Sequence, residues 1–152
     1  MTRERLAAFK LAPGAYEAVR GVEAYIRRCG LEHSLIELVD MRASQINGCA
    51  FCLDMHSKDA RRNGETEQRL YLLNGWRDSS LYTDRERAAL ACTEALTIVA
   101  DTHAPDDVYG QVRAQFADAE LVNLTTLIGL INLWNRLMIG FRTQHPITVK
   151  AA

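Results

Sequence analysis

The stretch Gly48-Cys49-Ala50-Phe51-Cys52-Leu53-Asp54-Met55-His56 carries two thiols and an imidazole at intervals of three and four residues. On a helix, steps of about 100° per residue place Cys49, Cys52 and His56 within roughly 60° of one another, on one face. Thiols at i and i+3 can close a disulfide with little backbone change. The imidazole one turn beyond Cys52 can take or hold its proton. Cys49 stands beside the positive end of the helix dipole, which favours its thiolate. A thiolate, an adjacent base and a resolving thiol are the parts of a peroxide-reducing or disulfide-exchanging site.

The same residues admit plainer readings. Cys49 and Cys52 could be two small buried hydrophobes. Together with His56 they could also supply three ligands to zinc, with a fourth from Cys29, Cys92, His33, His103 or a carboxylate, although no second ligand pair is visible. Glu37, twelve residues before Cys49, has a local reading: as the third position of the capping box Ser34-Leu35-Ile36-Glu37, it bonds back to the Ser34 backbone. Its functional reading needs the second and third helices to pack as a hairpin. The carboxylate would then reach His56 or Cys52 and orient or accept a proton. Spacing alone leaves both open.

The elements that must position these groups read as helices joined by short turns. Period-2 alternation never persists, so no strand is expected. The first helix is predicted over 14–29, with Pro13 at its start and Gly30 beyond its end. The second is predicted from Ser34 to about Ile46, the third from Cys49 to Arg62 and a short fourth over 65–73, with Asn-Gly pairs as punctuation. Thr83-Asp84-Arg85-Glu86 is a second capping box and opens a helix that fades at Asp101-Thr102. Pro105, with Asp106 and Asp107, starts another. The last helix is predicted over about 119–142. The expected fold is all-α: one compact domain of six to seven helices with its core at 14–142.

The composition agrees. The 152 residues are 48% hydrophobic and 24% charged, with 9 Gly and 3 Pro, which excludes a disordered tail, a collagen-like fibre or a low-complexity linker. A formal charge of −1 excludes the basic footprint of a nucleic-acid binder. The start, MTRERLAAFKLAPG, lacks an apolar stretch long enough for a signal-peptide core. The longest uncharged run, 121–135, carries Asn123, Asn132 and Asn135 and reads as a buried helix too short and polar to cross a bilayer. The expectation is a cytoplasmic protein with no membrane partner. So apolar a helix also predicts a homo-oligomer. Cys29 and Cys92 read as structural, Trp134 as core or interface, Trp76-Arg77 as a helix-packing or subunit contact, and Arg61, Arg62, Arg85 and Arg87 as solvated faces.

The run Asp40-Met41-Arg42-Ala43-Ser44-Gln45-Ile46-Asn47-Gly48-Cys49-Ala50-Phe51-Cys52, closing on His56, resembles the core motif of the alkylhydroperoxidase D-like branch of the carboxymuconolactone decarboxylase family. The downstream run Asn74-Gly75-Trp76-Arg77, then Thr83-Asp84-Arg85-Glu86 and Thr93-Glu94-Ala95-Leu96, is similar to the same branch. The likeness spans roughly residues 14–140.

This resemblance implies an AhpD-like helical domain and a thiol peroxidase. It makes Cys52 the peroxide-attacking cysteine, Cys49 the resolving one, and His56 the link from Glu37 to the thiols. That order conflicts with the dipole argument, which favours Cys49 as the thiolate. Relatives with a full relay carry histidine where this chain has Phe51, so the relay here is shortened or uses water. The implied partners are a hydroperoxide substrate, an outside dithiol or thioredoxin-like reductant, and copies of the chain as a dimer, trimer or hexamer. No metal or organic cofactor is required. Two competing readings remain: a lactone-decarboxylating lyase on the same fold, against which the cysteine pair argues, and a zinc-binding or redox-sensing module without enzymatic activity.

Overall fold

The computed structural model describes residues 3–147. They form nine α-helices and one 3-10 turn, with no strand among them. The helices are α1 (Ala8–Leu11), α2 (Pro13–Ile26), α3 (His33–Asn47), α4 (Ala50–Arg62), α5 (Glu67–Leu72), α6 (Asp84–Thr97), α7 (Val99–Thr102), α8 (Asp106–Arg113) and α9 (Asp118–Phe141); the 3-10 turn is Leu73–Gly75. Seven answer to the expected elements. The other two, α1 and α7, are single turns too short for periodicity to reveal.

α3 is the axis of the molecule. Leu35 to Met41 are buried without interruption, as are Ala43 and Ser44. A helix surrounded on all sides can carry carboxylates inward only if they are paired there, and Glu37 and Asp40 are both inside. One apolar cluster joins α2, α3 and α9 through Ile26, Ile36, Leu124, Leu127 and Ile128. A second holds α3 against α6 and the 3-10 turn through Leu38, Leu73, Trp76 and Leu90. A third contains the thiols themselves, Cys49 and Cys52, with Ala43, Ile131 and Met138. Each large side chain fully buried in these clusters contributes about 1.5–3 kcal/mol relative to exposure.

Four local features depart from the expectations, each for a physical reason. α2 stops at Ile26, and Arg27 to Cys29 form a turn that frees the Arg27 side chain to reach back over α3. α3 begins at His33 with Glu32 as its N-cap, so Ser34 lies inside the helix and the expected capping box does not form. Arg85 and Arg87 are staples rather than solvated charges. Arg85 bonds Glu32, Glu120 and the Gln115 carbonyl, while Arg87 bonds the carbonyls of Trp76, Ser79 and Arg77.

The fourth departure is α9, which runs 24 residues and has the length and composition of a membrane span, with a mean hydropathy of 1.3 in its most apolar window. Its polar residues have partners inside the fold. Tyr25 donates to Asn123, Asn132 donates to Thr97, and Asn135 donates to Ser44.

The second capping box does form: Thr83 accepts from the Glu86 amide, and the Glu86 carboxylate accepts from the Thr83 amide. The Trp76-Arg77 contact also packs as expected. Glu94 gathers Trp76 Nε1 at 2.8 Å, Arg42 at 2.9 Å and Arg77 at 2.7 Å, fixing the 3-10 turn to α3 and α6.

Candidate active site

α3 turns into α4 at Gly48, whose φ of 69° lies in the left-handed region that favours glycine. The Cys49 amide donates back to the Ser44 carbonyl at 3.0 Å, closing the turn as a Schellman-type cap. α4 therefore runs back along α3 as a hairpin, with Cys49 at its N-cap and Cys52 in its first turn. The two sulfurs lie 2.8 Å apart, both buried.

The pair loses its first proton easily and its second with difficulty. The side chain and backbone N–H of Cys52 both stabilise charge on Cys49, as do Asn135 and the positive side of His56. They outweigh burial and lower Cys49 to about 7. Cys52 moves strongly the other way, because its hydrogen bond to Cys49, burial and the neighbouring charge all oppose a second thiolate. The dipole argument thus agrees with the direction of the Cys49 shift.

His56 lies one turn beyond Cys52. Its Nδ1 is 2.9 Å from Glu37 Oε2 and 3.5 Å from Asp40 Oδ2. Arg27 completes the cluster, with NH1 at 2.7 Å from Glu37 Oε1 and NH2 at 3.9 Å from Asp40 Oδ2. Burial opposes ionised Glu37, but hydrogen bonds from His56 and Arg27 outweigh it and hold the carboxyl below its ordinary range. Burial likewise opposes the imidazolium, but the charge of Asp40 and the bond to Glu37 prevail and raise His56. Asp40, the most deeply desolvated, is pushed up to about 6. With Nδ1 committed to carboxylates, Nε2 is the nitrogen left for a reacting molecule.

Cys52, His56 and Asp40 line a cavity of about 170 Å³, and Cys49 does not. Its half-buried rim is aromatic: Phe9 and Tyr16 from the N-terminal helices and Trp134 from α9, with ring centroids 4.6–6.0 Å apart. Phe51 also faces the cavity, where the resemblance would place a relay histidine.

Behind the thiols runs a hydrogen-bonded chain. Asn47 donates to Asn132 and Asn135, and Asn135 donates to Ser44.

All four predicted site residues, Glu37, Cys49, Cys52 and His56, meet in one hairpin. The Glu37 carboxylate binds His56 rather than the Ser34 backbone. Sequence reading missed Asp40, Arg27 and Asn135. The signal for Asp40 was present, since it shares the inward face of α3 one turn after Glu37. The other two depend on a helix end and on a residue 91 positions from Ser44. Among the described residues, the cluster able to offer three ligand atoms to a metal is Glu37, Asp40 and His56, and the two cysteines are not part of it. The guanidinium of Arg27 already supplies a cation there.

Cys29 and Cys92 stand apart from the site, packed against the first core cluster. Burial alone pushes the Cys92 thiol up to about 11. His33, His103 and His145 are exposed.

The profile of the carboxymuconolactone decarboxylase family matches residues 12–95. The chain belongs to this family. Within the family its fold is AhpD-like. A crystal structure from Agrobacterium tumefaciens superposes with a TM-score of 0.93 at 48% identity, covering 96% of this chain and all of the other. That protein is described as of unknown function and provisionally linked to AhpD-type antioxidant defence.

The uncharacterised family relative YdfG of Bacillus subtilis (strain 168) is 38% identical over 137 residues, 90% of this chain and 93% of YdfG. YnjA of Escherichia coli (strain K12), also uncharacterised, is 37% identical over 108 residues, and the match spans 58% of its length. The debrominase Bmp8 shares the fold at 18% identity and a TM-score of 0.78, over 91% of this chain and 74% of Bmp8.

Proposed function

We propose that this family member is a thiol-dependent peroxidase that reduces hydroperoxides through Cys49 and Cys52. One observation carries the reading: the cavity-facing sulfur of Cys52 has a second, readily ionised sulfur 2.8 Å behind it. The imidazole of His56, one turn along, is anchored by buried carboxylates. The Agrobacterium protein's provisional link to antioxidant defence points the same way.

Charge first formed on Cys49 passes to Cys52 when a proton crosses between the sulfurs. Only Cys52 then meets the substrate. Its thiolate attacks the O–O bond of R–O–O–H; an S–O bond forms, the O–O bond breaks, and the alkoxide leaves as ROH after taking a proton from His56. The peroxide gains two electrons and Cys52 becomes a sulfenic acid. Cys49 attacks that sulfur, an S–S bond forms, and the hydroxyl leaves as water with the Cys49 proton. An outside dithiol, available in a reducing cytoplasm, then exchanges with the disulfide and restores both thiols.

Stopped-flow hydroperoxide consumption with a dithiol donor tests this, alongside mass spectrometry for a Cys49–Cys52 disulfide. Cys52→Ser abolishes turnover if the reading holds. Turnover equal to wild type in that variant overturns it.

The exposed apolar side chains Val122, Leu133 and Ile139 along α9 support assembly as a homo-oligomer. Light scattering at micromolar concentration gives more than one chain mass if this holds and a single chain mass if it does not.

A further inference from the structure

Asn135 lies on the face of α9 that closes over the two thiols. Ile131 and Met138, one turn to either side of it, pack with Cys49 and Cys52 in the third apolar cluster. The side chain of Asn135 is almost wholly buried, a polar group set into an apolar seam. A buried amide must place both of its ends on partners, so the network around it fixes its orientation.

That network is anchored at Ile128, whose backbone carbonyl can only accept. The carbonyl takes a hydrogen bond from Asn132 Nδ2 at 2.9 Å, so Asn132 turns its oxygen the other way. Arg136, which can only donate, bonds that oxygen at 3.1 Å. Asn47 therefore presents Nδ2 to the same oxygen at 2.9 Å, and this Nδ2 also meets Asn135 at 2.8 Å. Asn135 answers with Oδ1. Its Nδ2 is left facing the hairpin, where one N–H goes to Ser44 Oγ at 3.0 Å and the other to the sulfurs.

The placement matters most at Cys52. The hydrogen bond to Cys49, burial, and the charges of Cys49 and Asp40 all oppose a thiolate there, and Asn135 favours one. At Cys49 the same amide adds to the support that Cys52 already gives. One neutral donor thus meets the charge on either side of a 2.8 Å gap.

Resting on the peroxidase reading above, we propose that Asn135 is the donor under which the thiolate passes from Cys49 to Cys52, with Asn47 as the positioning residue that keeps its N–H toward the sulfurs. In that passage the S–H bond of Cys52 breaks, an S–H bond forms on Cys49, and the charge crosses the other way. Asn135 itself gives up no proton. α9 supports the thiols of the hairpin from outside it.

Two arms test this, both in protein carrying Cys29→Ser and Cys92→Ser, which leaves the two site thiols. In the first, the Asn135 side-chain amide is followed by NMR in the reduced state, from mildly acid to mildly alkaline pH. Its signals are expected to move with the thiolate absorbance, on one midpoint near 7. They are expected to lose that step when Cys49 and Cys52 are also serine. An amide that ignores the thiols overturns the proposal.

The second arm uses two substitutions. Asn135→Leu is close in size and lacks the donor, and Asn47→Asp turns an acceptor toward Asn135. Each is expected to move the first thiol ionisation from about 7 toward the ordinary value near 8.5. Their kcat/KM with hydrogen peroxide and dithiothreitol is expected to fall by about tenfold or more. Thr97→Val removes a bond at the far end of the network but leaves the Ile128 carbonyl to hold Asn132, so its thiol ionisation is expected to stay near 7.

An unmoved ionisation in either folded asparagine variant, or an equal shift in Thr97→Val, overturns the proposal. Where neither asparagine variant folds, the amide titration decides alone. Absence of turnover in wild type overturns the peroxidase reading instead, and the ionisation measurements still decide what Asn135 does.

Discussion

Nδ1 of His56 and Oε2 of Glu37 lie 2.9 Å apart, on facing helices, with both side chains almost wholly out of solvent. Glu37 therefore fixes the imidazole's orientation and stabilises its protonated form.

Replacing it tests both effects. In Glu37→Gln the Arg27 and His56 charges lose their main partner, and removing one member of a buried pair costs on the order of 3 kcal/mol. The sign with pH follows from the lowered Glu37 value: its stabilisation is present above the ordinary range near 4.3 and lost as pH falls through the folded value. Urea denaturation is expected to show a large gap between wild type and variant at pH 7 that closes under acid.

The thiols give a second, spectroscopic prediction. Thiolate absorbance near 240 nm in a reduced Cys29→Ser/Cys92→Ser protein, which keeps only the two site thiols, is expected to rise once, around pH 7, and not again through the mildly alkaline range. Cys49→Ser removes the hydrogen bond and charge that hold Cys52 up, so its remaining site thiol falls toward the ordinary value near 8.5. Two equal steps in the Cys29→Ser/Cys92→Ser protein would contradict the shared-proton account.

Asp40 is the third test. Its charge is the foremost contribution that raises His56, so Asp40→Asn is expected to lower the His56 midpoint, read by imidazole NMR. Asp40 itself is raised to about 6, so its contribution to stability is present below its ordinary value and lost as pH rises through 6. The variant is therefore expected to gain on wild type between pH 4 and pH 8, by up to about 3 kcal/mol in chemical denaturation.

Much of this centre was legible in the sequence because it is local. Cys49, Cys52 and His56 share a helical face by spacing alone, and a glycine after asparagine marks the turn. Glu37 was harder, because a capping box and a hairpin contact compete for the same side chain. The fold decided by starting α3 at His33, a choice no residue type dictates. Arg27 depended on α2 stopping a turn early. Phe9 sits in a single helical turn that periodicity cannot detect. Asn135 belongs to the site through tertiary packing, far along the chain, and no spacing rule reaches it.

Gly48 supplies the fourth prediction. A Cβ there meets nothing within 4 Å, so Gly48→Ala pays only for a left-handed backbone, about 1–2 kcal/mol. The loss is expected in thermal or urea unfolding. The first thiol ionisation is expected to drift upward as the cap that seats Cys49 loosens, and a variant as stable as wild type would rule out a strain role for this turn.

The turn at Gly48 places Glu37, Asp40, Cys49, Cys52 and His56 within a twenty-residue cassette, Glu37 to His56, whose contacts form between neighbours in sequence. Such a hairpin can assemble early in folding, before the distant helices dock. The chemistry and the shape of the pocket are then inherited from different parts of the chain. Exchange of side chains on the N-terminal turns or the α9 face reshapes the cavity, while the hairpin that carries the thiols is left as it is.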